Sequence, residues 1–280
     1  TVLAWLTYRL TESPFCVGLI ISVSTIGMMW PQLLVGNFAE TLERKMTIYV
    51  AFAVFRSIVM ATMGALVLLW AGSDWGLFWM LLLLFAAFSS GGGASIVPFM
   101  DIVAKAVPQD RLAMLWGYRR LFGGVLGFVT GLLVAYVLSD RSGLTFPLNY
   151  AALFFCSALV CGVAYGLFGA VREPVEAAAR RRMPFNAFLK RGPRILKYDH
   201  DFRRLYLYRW AWALGAMSQA QLVPFAIEHL DAPETQAGWF TAVIMLVGAA
   251  ASYVWGRVTQ IRGETYSLRQ CALLLTLSPL

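Results

Sequence analysis

Apolar residues along this chain fall in long, nearly unbroken runs separated by short polar breaks. A helix that crosses a bilayer needs about 20 mostly apolar residues. Seven runs reach that length: 15–36, 47–71, 76–100, 113–138, 148–171, 205–227 and 237–256. Partial runs stand at 1–8 and 267–280. A soluble bundle would show a polar stripe along each helix, and "MLLLLFAAF" (80–88) and "YAALFFCSALVCGVAYGLFGAV" (150–171) have none. The breaks carry turn chemistry, such as "AGSDWG" at 71–76 and "SDRSGLTFP" at 139–147. Pro98, Pro147 and Pro224 are expected near segment ends, where a missing backbone donor is tolerated. The pattern predicts an all-α, polytopic membrane protein.

Composition agrees. Hydrophobic residues make up 59% of the 280 and charged residues 14%, against about 45–50% and 25% in soluble domains. The net charge of +8 does not indicate a nucleic-acid binder, because the basic residues sit in a few loops rather than on a charge-rich surface. Their placement is informative. Arg44 and Lys45 follow the first long run; Lys105, Arg111, Arg119 and Arg120 lie around the next alternate break. Ten more lie in 172–204, and Arg257, Arg262 and Arg269 come after 256. The opposite loops hold only Arg9 and Arg141, while Arg56 and Arg209 fall inside apolar runs. Cytoplasmic loops collect Lys and Arg, so 37–46, 101–112, 172–204 and 257–266 are expected on the cytoplasmic side.

Enzyme chemistry finds no foothold. There is no H-E-x-x-H, Walker A or G-x-S-x-G pattern. His200 and His229 are expected on opposite faces of the membrane. The cysteines (Cys16, Cys156, Cys161, Cys271) lie in apolar runs as small hydrophobes. No catalytic residue, metal or cofactor is expected. "SSGGGAS" (89–95) lacks the Lys-Ser/Thr of a phosphate loop and reads as close helix packing or as a weak point beside a cavity. Gly123, Gly127 and Gly131 recur every four residues and predict a smooth face for a partner helix. Segment 175–204 mixes basic residues with Phe185, Phe188, Ile195 and Leu196. It reads as a linker with an interfacial helix attracted to anionic lipid.

An internal repeat follows. Gly18 and Gly238 match at an offset of 220, as do Gly36 and Gly256, each pair bracketing a membrane run that ends in a short polar turn. Turns repeated on one side imply parallel repeats about the membrane normal. Extending the offset predicts helix sequence before Thr1 and beyond Leu280, so the chain is expected to be a fragment lacking most of a first helix and everything past part of a ninth.

These features resemble the major facilitator superfamily of secondary transporters, over the whole chain. The family's signature, G-x-x-x-D-R-x-G-R-K, is similar to Gly36, Glu40, Arg44 and Lys45, with departures at Thr41 and Glu43; the resemblance implies a cytoplasmic gating motif, the alternative being that Arg44 and Lys45 serve as topology anchors. The second copy keeps Gly256 and Gly263, with Gln260 and Arg262 between them. "LTESPFCVGLI", "FPLNYAALF", "VREP" and "DHDFRRLYLYR" are similar to a bacterial branch of the family. The resemblance implies a helical bundle with a nearly complete N-terminal half (1–171), a basic cytoplasmic linker (172–204) and the start of a C-terminal half (205–280). It also implies secondary active transport of a small molecule by rocking alternating access, coupled to an ion, the proton being expected. The competing reading is a non-transporting scaffold or receptor derived from the same fold. The expected location is the bacterial cytoplasmic membrane, and the expected state a monomer surrounded by lipid, with no nucleic-acid partner.

The resemblance places the family's first, fourth, seventh and tenth helices around a cavity. Ser89, Ser90, Ser95, Ser218, Gln219 and Gln221 are then cargo-contact candidates, the alternative being hydrogen bonds between helices. Arg56, a further cavity candidate with a structural pair as the alternative, lies eleven residues past Lys45, about 16 Å along a helix, and needs a partner, water or an anion. Asp101, Arg119 and Arg120 are candidates for a gate or an interfacial ion pair, and Glu228 and His229 for proton carriage.

Overall fold

The computed structural model describes residues 2–39, 42–174, 184–219 and 234–277; side chains at 140, 186, 188–189, 212–219, 234–246 and 275–277 are outside this description. Every regular element among them is helical. In order they are α1 (Val2–Thr11), α2 (Pro14–Ala39), α3 (Met46–Leu69), α4 (Asp74–Ala106), α5 (Gln109–Leu138), α6 (Leu148–Gly169), α7 (Phe185–Tyr198), α8 (His200–Gln219), α9 (Glu234–Arg262) and α10 (Glu264–Leu277). Helices α2 to α6 are each long and apolar enough to cross a membrane. Their outward faces are apolar too: Ile21, Ile26, Met29 and Leu33 on α2 and Leu126, Phe128 and Leu132 on α5 are all largely exposed. In water such faces would drive aggregation; in hydrocarbon they are the correct surface.

Helix ends differ from the apolar runs. Helix α4 continues past Met100 to Ala106, and α5 begins at Gln109, so most of the expected loop 101–112 is helix. Likewise only Gly263, at φ +83°, separates α9 from α10 where a loop at 257–266 was expected. Hydropathy marks where a helix leaves hydrocarbon, whereas the hydrogen-bond ladder runs on into water. Pro98 therefore lies within α4 rather than near its end, and it is fully buried.

The chain forms two compact units. The first is Thr1–Pro108 with Val129–Arg182, the second Gln109–Phe128 with Met183–Leu280. In the first, the buried core gathers Leu3, Leu6 and Leu10 of α1 with Cys16, Ile20, Met63, Val67, Phe78, Leu81 and Phe154. These residues come from the end of the bundle where α1 meets α2 and α3 meets α4. At the other end, the packing is of a different kind.

Candidate functional site

At the end of the first unit that bears the α2–α3 loop, two carboxylates organise the backbone and two lysines. Asp101 Oδ2 accepts Lys45 Nζ at 2.7 Å and Lys105 Nζ at 2.8 Å. The Asp101–Lys105 pair lies one turn apart on α4, a spacing available only because α4 extends beyond the apolar run. Helix α3 starts without a side-chain cap of its own. Its cap comes from Glu173, just beyond α6: Oε1 accepts from the Lys45 N–H and Oε2 from the Met46 N–H, both at 2.9 Å. A carboxylate satisfies two orphan donors there and meets the positive end of the helix dipole. Arg44, next to Lys45, is exposed.

Beneath the charges lies an aromatic layer. Tyr49 of α3 packs against Phe168 of α6 with centroids 4.7 Å apart, and Phe99 of α4 against Phe168 at 5.0 Å. Tyr165 meets Tyr49 edge-on at 5.9 Å. Deeper still is Arg56. Side chains on a helix lean toward its N-terminus, which carries this guanidinium back toward the loop end, where it donates to the Tyr165 hydroxyl. It also lies over the Phe88 ring, 4.2 Å from the centroid. Gly91 and Gly92 leave the notch: a Cβ on Gly91 would stand 2.9 Å from Arg56 Cγ. Arg56 thus has a phenol and aromatic faces about it, and its Nε is buried with no hydrogen-bond partner among the described residues.

The serine candidates on α4 are engaged with other helices and with their own backbone. Ser90 accepts from Trp30 Nε1 of α2 at 3.1 Å, and Ser95 donates to the Gly92 carbonyl at 2.8 Å. Ser89 is buried where a Cβ on Gly27 would come within 2.8 Å of its own Cβ. Gly93 is tighter still, for a Cβ there would lie 2.3 Å from the Met28 carbonyl oxygen. Ser218 and Gln219 fall on α8 with side chains outside the described set, and Glu40, Gln221, Glu228 and His229 lie outside the described residues altogether. Gly36 sits within α2.

In the second unit the first half of α5 packs against α9. A Cβ on Gly117 would lie 3.1 Å from the Ser252 carbonyl, and one on Gly256 3.0 Å from the Ala113 carbonyl. A Cβ on Gly124 would reach the Ala249 Cβ at 2.7 Å. Among the described residues, Gly117 and Gly124, two turns apart, are the α5 glycines in close contact with α9, while Gly123, Gly127 and Gly131 have no described atom within 4 Å of an added Cβ. The four-residue spacing of Gly123, Gly127 and Gly131 thus meets no partner helix among the described residues. Gly123 and Gly127 instead help line a cleft of about 760 Å³ with Trp116, Arg119, Arg120 and Ala249. Arg119 lies over Trp116 at 5.1 Å. Gln260 and Arg262 are exposed, Arg262 donating to the Tyr266 hydroxyl at 2.7 Å. Arg119 and Arg120 belong to this unit, and the Asp101 carboxylate in the other is held by Lys45 and Lys105.

Glu173 and the aromatic layer were not singled out in the sequence. The available signal was a carboxylate just after an apolar helix, flanked by Arg172 and followed by Glu176 and a strongly basic stretch. Against known proteins, the sequence model described as Major Facilitator Superfamily matches residues 1–280. No curated protein and no solved structure matches the chain.

Proposed function

The chain belongs to the Major Facilitator Superfamily and is a membrane transporter, and we propose that it works as a secondary active transporter, by alternating access coupled to protons. The observation that supports this most is the cluster of Lys45, Asp101, Lys105 and Glu173. It ties the α2–α3 loop to α4 and to the end of α6, so that loop travels with the first unit as one body. Rocking needs such bodies, because packed interiors switch between discrete arrangements rather than deform continuously. The basic loops then face the cytoplasm. Arg44, exposed beside the engaged Lys45, is the residue of the signature that would pair with the Glu40 carboxylate in one state alone. An exposed pair of this kind contributes about 0.2–1 kcal/mol, a modest bias on an inward–outward equilibrium.

Polar cargo contact is assigned to Ser218, Gln219 and Gln221, with Ser89, Ser90 and Ser95 of α4 as further candidates. The test uses the full chain in liposomes containing a pH-sensitive dye, with small molecules screened under an imposed proton gradient. Cargo entry that moves protons and collapses with a protonophore is the expected result. Cargo movement indifferent to every ion gradient would overturn the coupling. Cargo that raises thermal stability yet never crosses the bilayer would instead assign a scaffold or receptor.

A further inference from the structure

Helix α7 has one apolar and one cationic side, and we propose that it lies in the headgroup layer of the same membrane, held by anionic phospholipid on the side of the basic loops. Its sequence, "FNAFLKRGPRILKY", contains four basic residues and no carboxylate. At about 100° per residue, Phe185, Gly192 and Leu196 fall within about 40° of one another. Lys190, Arg191, Arg194 and Lys197 fall on the opposite side, spanning about 120°. Phe185 and Ile195 are 39% and 37% exposed. A short helix with this division has two media to satisfy, which is the design of an in-plane interfacial helix.

An independent feature sets its level. Tyr198 and Phe202 are well exposed at the junction of α7 with α8, and Tyr206 and Trp210 on the following turns of α8; Tyr and Trp side chains gather at the membrane–water boundary. Asp199 forms the whole corner. Its N–H closes α7 on the Ile195 carbonyl at 2.8 Å, and its Oδ1 caps α8 by accepting from the Asp201 and Phe202 N–H groups at 3.1 and 2.9 Å. With a one-residue corner fixed at both ends, the hold of lipid on α7 passes directly to α8. Each Lys or Arg beside an anionic leaflet contributes about a fivefold preference (roughly 1 kcal/mol). Charge complementarity therefore selects anionic lipid over a zwitterionic surface.

The experiment is hydrogen–deuterium exchange of the full chain in nanodiscs of phosphatidylcholine, with and without phosphatidylglycerol. Amides of 185–198 are expected to exchange at least about tenfold more slowly with phosphatidylglycerol present, and high salt is expected to remove part of that protection. The variant Lys190→Gln/Arg194→Gln/Lys197→Gln is expected to lose most of it. Unchanged exchange in 46–69 and 74–106 establishes that the variant is folded. Equal exchange in both lipids overturns the proposal, as does lipid-dependent protection that the triple variant keeps. Protection that phosphatidylglycerol leaves unchanged but an acidic polypeptide produces would reassign the face to a protein partner. None of these readings depends on cargo or coupling ion, so they stand apart from the transport assay.

Discussion

Replacing Gly93 by alanine tests whether the triple glycine of α4 is a packing device. A Cβ there would sit 2.3, 2.7 and 2.9 Å from the carbonyl oxygen, carbonyl carbon and Cα of Met28. Ordinary contact begins at 3.4 Å, so the α2 and α4 backbones must part by about 1 Å. All three obstructing atoms are main chain, and no rotamer change relieves them. Two effects oppose each other. Alanine in a helix interior gains about 0.8–1.0 kcal/mol over glycine, whereas forcing an extra methyl group into a packed core costs about 1–3 kcal/mol. Here the backbone must move at the most extensive helix contact of the unit, so the upper part of that range applies. The net loss is about 1–2 kcal/mol, or roughly 2–8 °C in Tm.

Gly123→Ala is the internal comparison, because no described atom lies within 4 Å of the added carbon. It receives the propensity gain alone and is expected to melt at or slightly above the parent. The assay is thermal unfolding of both purified variants in the same detergent, following the folded fraction by size-exclusion chromatography. A Gly93→Ala protein as stable as Gly123→Ala would refute the reasoning and return the triple glycine to the role of a cavity-side weak point.

Glu173→Gln keeps one acceptor and turns an amide NH2 toward the α3 terminus, leaving one of the Lys45 and Met46 N–H groups unanswered. Loss of about 1–2 kcal/mol of local stability is expected, read as faster hydrogen exchange at the first turn of α3 with α4 unaffected; unchanged protection there refutes the cap. Arg56→Met tests the surroundings of the buried guanidinium. Breaking a hidden ion pair would cost about 3–5 kcal/mol, but a cation held by Tyr165 and Phe88 also carries an insertion cost of at least ~2.5 kcal/mol. Its removal is expected to leave Tm level or raise it, and a large fall would point to a carboxylate partner.

The membrane architecture was legible because one physical quantity, apolar length, dominates it. The runs 47–71 and 148–171 correspond to α3 and α6 within two residues at each end. The run 76–100 stops six residues short of the end of α4, where Asp101 and Lys105 make the helix too polar for a hydropathy pattern. On α5 the described close contacts with α9 fall at Gly117 and Gly124 rather than at Gly123, Gly127 and Gly131, because small-residue periodicity reports that close approach is allowed and leaves its direction open. Glu173 was invisible for a different reason. Its partners are 127 and 128 residues away, and no local period encodes a contact of that range.

The two ends of the first unit are built from interactions that respond differently to water. One end closes on Leu6, Met63, Phe78 and Leu81, each almost wholly buried, and opening it would expose apolar surface at about 25 cal/mol per Å². The other end closes on ion pairs whose lysines are 13% and whose aspartate is 32% exposed. Partial hydration lowers the energy of such contacts and of their rupture alike. Glu173 removes the ambiguity this creates, since a carboxylate shared by two backbone N–H groups holds α3 to α6 without either lysine. The signature lysine and its neighbour therefore separate in role. Lys45 is taken up inside the unit, whereas the charges of Glu43 and Arg44 beside it stay exposed.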